Sequence, residues 1–153
     1  MPTRVKIKID DDSGLRASLD DLYENCSQHV LAAWSIMLAK RILTLAGIDH
    51  TCNRIIMDAF FVIQSWQNGK ARMHDVRLAG FGVHQLAKAC SDVAQKAALR
   101  TAGQAIATGH MKEHAMVASD YAIKTINLLH PNDKQAVTQE RLQQIEELTQ
   151  LSS

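Results

Sequence analysis

The sequence predicts an all-α protein, a single-domain helical bundle of about five to six helices with a short extended arm at its N-terminus. Three observations carry this. Apolar residues recur at helical spacing from Leu19 almost to the C-terminus, and breaks marked by glycine or proline fall about a helix length apart. Only Val5, Ile7 and Ile9 alternate with charged neighbours as a strand would. Short connections between long helices imply antiparallel neighbours, hence a bundle.

The arm has no second strand-like run to pair with inside the chain. Its backbone groups must go to water, to a second copy of the chain, or to irregular contacts. The expected organisation is an arm over 1–17, a helical core over 18–130, and a C-terminal helix in 131–153 packed on the core or on a partner. Ser18, with Asp21 three residues on, reads as a capping-box-like start. From Leu19 the first helix runs to about Ala46, stopped by Gly47. A second covers roughly Thr51 to Gln67 and closes at Asn68-Gly69. A third begins near Arg72 and continues to about Cys90. Ser91 caps a fourth, with Asp92 in its first turn, running to about Ala107. Thr108-Gly109 breaks the rod, and a fifth helix carries His110 to Leu129. Pro131 suits the first turn of a sixth, roughly Asn132 to Gln150. That last segment is rich in Gln and Glu, with a thin apolar stripe of Val137, Leu142, Ile145 and Leu148. Gly80, Gly82, Gly103 and Gly109 sit inside helical patterns, where glycine costs about 1 kcal/mol relative to alanine. Close approach of helix backbones is their expected use, together with the alanines around them.

Composition excludes several classes of function. At 153 residues the chain is one domain with room for a core that needs no disulfide or metal. A net charge of +1, with Lys and Arg scattered rather than clustered, supplies no field for nucleic acid or an anionic membrane. Cys26, Cys52 and Cys90 are far apart and form no C-x-x-C, so no zinc knuckle or redox motif exists. They read as small apolar core residues in a reduced compartment. The longest apolar run, Val30 to Ala39, is too short to cross a bilayer, and the charged start lacks the apolar run of a signal peptide. A cytoplasmic protein without a membrane or nucleic-acid partner is expected.

Two constellations could carry chemistry. His110-Met111-Lys112-Glu113-His114 matches H-x-x-E-H, and histidines at i and i+4 share a helix face as zinc ligation requires. On that reading His110, Glu113 and His114 hold a metal, with His74 or His84 completing the shell. The competing reading is a pair of half-buried histidines bonded to neighbours, because their stripe continues through Val117, Tyr121 and Leu128. A second stripe on the third helix carries His74, Arg77, Phe81, His84 and Lys88. Packed antiparallel to the first, it would bring four histidines and Arg77 into a pocket fit for a carboxylate or phosphate. The alternative is a solvated polar face with one aromatic on it. Asp75 is within reach of Arg72 or of a histidine. Trp34 and Trp66 read as core aromatics, and no phosphate-binding loop, nucleophile elbow or activated cysteine occurs. No cofactor is expected.

Two further stretches are Trp66-Gln67-Asn68-Gly69-Lys70-Ala71-Arg72 and Arg100-Thr101-Ala102-Gly103-Gln104-Ala105-Ile106-Ala107-Thr108-Gly109-His110-Met111-Lys112-Glu113-His114-Ala115, the latter followed by Asp120-Tyr121-Ala122. On them, and on the run from Cys26 to Asn127, the chain resembles a bacterial family of proposed immunity proteins, the type-five-like group. That family more often has His where this chain has Gln104, and the arm and the Gln-rich last helix lie outside the resemblance. The resemblance implies an α-helical fold, no catalysis, and neutralisation of a toxin made by neighbouring or the same cells. The function expected is therefore a toxin-neutralising binding protein. Its candidate contacts are Trp66, Lys70, Arg72, His74, Arg77, His84, Gln104, His110, His114 and Tyr121. The alternatives are a metal-dependent hydrolase or a small-anion sensor using His74, His84, His110 and His114. Long helices and a partnerless arm leave a homodimer open.

Overall fold

Seven helices follow one another in the computed structural model, which describes residues 2–152. They are α1 (Ser13–Glu24), α2 (Gln28–Leu45), α3 (Arg54–Gln67), α4 (Met73–Ala89), α5 (Val93–Ala107), α6 (His114–Leu129) and α7 (Lys134–Ser152). Met1 and Ser153, the outer ends of the expected arm and last segment, lie outside the described residues. No strand forms among those described.

The count differs from expectation because the span from Leu19 to Ala46 is two helices. Asn25 ends α1, its N–H turned back to Leu22 and the Cys26 N–H to Tyr23, and the Ser27 side chain accepts from the Val30 N–H to start α2. A serine or asparagine that bonds its own backbone offers the chain an alternative to helix, and here two of them do so within three residues. α1 also begins earlier than Ser18. Asp12 caps it, accepting from the Leu15 N–H at 2.9 Å, while the Ser18 hydroxyl donates to the Gly14 carbonyl. Elsewhere the stops fall where the sequence puts them. Gly47 and Gly69 adopt the left-handed φ values of 81° and 72° that close α2 and α3. Asp92, rather than Ser91, caps α5 through the Gln95 N–H. Pro131 stays in the turn before α7, where Asp133 accepts from the Ala136 N–H.

α2, α5 and α6 form the middle of the bundle, with α4 on α5, α3 on α4, and α7 closing over α1, α2 and α6. Small residues set these seams. Ala98, Ala102 and Ala105 of α5 and Ala115, Ala118 and Ala122 of α6 are wholly buried. Gly109, just beyond α5, shows how close the approach is. A Cβ there would stand 2.6 Å from Ile63 Cδ1 and 2.9 Å from Val76 Cγ1. Of the cysteines, Cys26 is buried as expected and Cys90 is half-buried against the core, but Cys52 is exposed, so the core reading fails there.

The arm takes the irregular route. The Asp10 N–H donates to Asn127 Oδ1 and Asn127 Nδ2 returns a bond to the Asp10 carbonyl, while Lys124 holds the Lys8 carbonyl. Thr3 binds the Asp20 carboxylate on α1. Asp11 reaches further in, to Arg141 of α7 at 2.7 Å.

The stripe expected on α7 holds at Val137, Ile145 and Leu148 but fails at Leu142, which is exposed. The face turned inward also carries Glu140, Arg141, Gln144 and Glu147. Arg141 is wholly buried and donates to Asp11, Asp120, Ser119 and Gln144. Asp120 also accepts from Arg16, and Gln144 passes the chain of bonds to Glu140, which Arg41 shares with Glu147. The Trp34 indole N–H donates to the Gln144 carbonyl at 3.0 Å, a partner without which its burial would cost about 1–3 kcal/mol.

The Gly109 contact yields a test. Gly109→Ala forces Ile63 and Val76 aside in a filled core, so urea unfolding should show a loss of about 1–3 kcal/mol.

Candidate functional site

One end of the bundle gathers the start of α2, the end of α3, the start of α4 and the α5–α6 connection. Gln28 Nε2 donates to the Thr108 carbonyl at 2.9 Å, and Gln67 Nε2 to the His29 carbonyl at 3.0 Å. The His29 ring stacks on Trp66 at 4.5 Å between centroids and 8° between planes. The two stretches singled out in the sequence, 66–72 and 100–115, thus meet here through Gly109 and its packing on Ile63 and Val76. Trp66 is half-buried. Lys70 is exposed in the turn after α3, and Arg72 precedes α4 with its guanidinium on Asp75 at 3.3 Å. Asp75 also accepts from the Arg72 N–H, which settles its partner as Arg72. Lys112 sits 5.1 Å over the Tyr23 ring, tying the α5–α6 connection to α1. Burial first, then the charges of Glu113, Asp20 and Glu24, push the Tyr23 hydroxyl up to about 12.

A second group lies in the seam of α4, α5 and α6. Arg100 Nη1 is 3.0 Å from His84 Nδ1, and a guanidinium can only donate, so His84 Nδ1 accepts and the ring is neutral with its proton on Nε2. Gly103 makes room for that ring, since a Cβ there would stand 2.5 Å from His84 Cε1. On α6, His114 Nδ1 lies 2.7 Å from Gln104 Oε1 and donates to it, which leaves Nε2 without a proton in the neutral ring. Both imidazoles have their pKa lowered. Burial is the main cause in each, followed by Arg100 for His84 and by His110 for His114.

The metal reading of H-x-x-E-H is corrected by the local fold. α6 starts at His114, so His110 and Glu113 precede it rather than sharing its face. The His110 N–H closes a turn on the Ala107 carbonyl, and its ring lies 6.2 Å from that of His114 at a tilt of 56°. Its Nδ1 is buried with no hydrogen-bond partner. Thr108 and Gly109 end α5, and the chain needs a further turn before α6 can begin; the i, i+4 geometry is lost there. The four-histidine pocket does not form either. His74 is exposed at the start of α4 beside exposed Arg77, while His84 turns to α5. Among the described residues no group of three or more His, Cys, Asp or Glu side chains is placed to hold a metal ion. Tyr121 is half-buried on α6.

Two features escaped the sequence. A cleft of about 640 Å³ runs between the arm and the α6–α7 turn, lined by Asp10, Asp12, Asn127, Asn132 and Thr138 among others, and by none of the candidate residues. Asp10-Asp11-Asp12 and Asn132-Asp133 were its only signal. His29 is the other, missed because nothing local ties it to a tryptophan 37 positions on.

The described residues define an all-helical bundle with its candidate side chains divided between an end and a seam. Over residues 21–151 the chain matches the family described as Imm-5 like putative immunity protein, and it belongs to that family. The match takes in the Gln-rich α7, which the resemblance had placed outside. No match was found among curated proteins or among solved structures. Among the described residues, no helix is long and apolar enough to cross a membrane.

The seam predicts a pH dependence. A histidine whose folded pKa lies below its ordinary 6.5 is protonated more readily when unfolded, so its contribution is intact above 6.5 and is lost as pH falls below it. The melting temperature should drop between about pH 7.5 and pH 5.5, and His84→Gln/His114→Gln should flatten that drop. Equal slopes for both proteins would contradict the seam's role.

Proposed function

We propose that the chain is a non-catalytic immunity-type protein that neutralises a toxin by binding it. The family match over 21–151 carries this reading. The state of the candidate side chains supports it. His84 is held by Arg100, His114 by Gln104 and Arg72 by Asp75, so these polar groups satisfy one another rather than converging on a vacant point. Trp66, Lys70, Arg72, His74 and Arg77 stand at the accessible end and outer side of α3 and α4, where a protein partner can reach them. His84, Gln104, His110, His114 and Tyr121 lie behind them and act by fixing that surface. The net charge of +1 does not imitate the phosphates of a nucleic acid, so the toxin is blocked by covering its surface rather than by substrate mimicry. The protein works in the cytoplasm and without a cofactor.

Co-expression tests this directly. Produced together with each polypeptide toxin of the cell that makes it, the chain should restore growth against at least one and co-elute with it as a stable complex. Rescue of none, with every toxin shown to be active, overturns the reading.

A further inference from the structure

The outward side of α3 and α4 carries an apolar face that no other element covers. Phe61 is 70% exposed, Phe81 58%, Leu78 56% and Ile55 46%. Two of the chain's three phenylalanines therefore stand in solvent. Gly82 joins the two helices at this point, because a Cβ there would stand 3.4 Å from Ile55 Cγ2. Ile55 thus lies at the contact of α3 with α4. α3 packs chiefly on α4, and it touches α2 and α5 only slightly, so its outer surface is left free. A single exposed apolar residue means little, but a group of this size on one helix pair marks an interaction surface.

The charge on this face selects its occupant. Arg77 and Lys88 are exposed, and among the described residues no carboxylate lies within ion-pair distance of either. Arg54 has Asp58 at 3.7 Å, an exposed and loose pair. Pairing two copies through this face about a two-fold axis would set uncompensated cations against each other. A partner surface that is apolar at its centre and acidic around it fits. We propose that the α3–α4 face, through Ile55, Phe61, Leu78 and Phe81, docks an acidic apolar surface of a protein partner, with Arg77 and Lys88 pairing its carboxylates. This rests on the immunity reading for its biological role and narrows it. The surface of the toxin that is covered is acidic, hence not a basic nucleic-acid groove.

The test uses the whole chain, labelled with 15N, and two helical peptides of matched length, one of Leu and Glu and its twin of Leu and Lys. The Glu peptide should shift amides of residues 54–66 and 73–89 and few others. Phe61→Ser/Phe81→Ser and Arg77→Glu/Lys88→Glu should each weaken it by at least about tenfold without lowering the melting temperature. The Lys peptide should not bind. The inference is overturned by equal binding of the two peptides or by shifts elsewhere in the chain. It is equally overturned by movement of the same amides on concentrating the chain alone, which would mean a second copy, or by phosphatidylglycerol vesicles displacing the Glu peptide. In the growth assay Phe61→Ser/Phe81→Ser should lose protection. If that variant still protects, the face is wrong and the immunity role stands. If the unaltered chain protects against nothing, the immunity role fails and the peptide titration alone decides the face.

Discussion

Arg141 is the constraint on which the arrangement of the outer helices depends. A guanidinium with no exposure to water must be surrounded by acceptors or it costs several kcal/mol. It finds them on three separate segments: Asp11 of the arm, Ser119 and Asp120 of α6, and Gln144 of its own helix. Satisfying it therefore fixes where the arm crosses, how α7 is rotated, and which side of α6 faces them. Asp120 extends the arrangement to Arg16 of α1, and Glu140 extends it to Arg41 of α2. Carboxylates outnumber guanidinium groups in this buried set. The excess is eased at its edge, where burial pushes the Glu147 carboxyl up against the pull of Arg41.

The two halves of the bundle are held by different physics. Between α2, α5 and α6 the contacts are apolar and close, set by alanines, and toward α3 and α4 glycines of α5 and its end make room for Ile63, Val76 and His84. Such packing is tight but carries little directional information. On the α1–α7 side, directional bonds choose the register instead. α3 and α4 lie opposite, attached through α5, with their outer side uncommitted. A rigid interior and a free outer pair of helices is an arrangement that presents a surface already formed, which lowers the ordering cost of binding.

Much of the helical plan was legible because it is written locally. Asn68-Gly69, Gly47 and the apolar spacing of α3 to α5 each act within a few residues of themselves. The break at Asn25–Ser27 was equally local, but the unbroken apolar pattern on both sides hid it. The candidate residues were half legible. Gln104 and His114 were both named as candidates and do meet, although nothing in the sequence paired them, and the partner of His84 was Arg100 and not another histidine. The H-x-x-E-H string misled because the helix after the Thr108-Gly109 break starts at His114 rather than at His110, which leaves His110 and Glu113 outside it. What stayed hidden was long-range. Nothing near Arg141 in sequence announces Asp11 or Asp120, and polar residues on a Gln-rich helix read as a solvated face when they are in fact its buried one.

The direct test of this account is Arg141→Met, followed by urea unfolding and by amide hydrogen exchange in the native state. The account predicts a loss of about 3–5 kcal/mol, since Asp11 loses its counter-ion and Asp120 keeps only Arg16. It also predicts that the arm, α1 and α7 exchange faster while the amides of α2, α5 and α6 still open only with the whole molecule. A variant as stable as the original chain, with the arm and α7 protected as before, would contradict it.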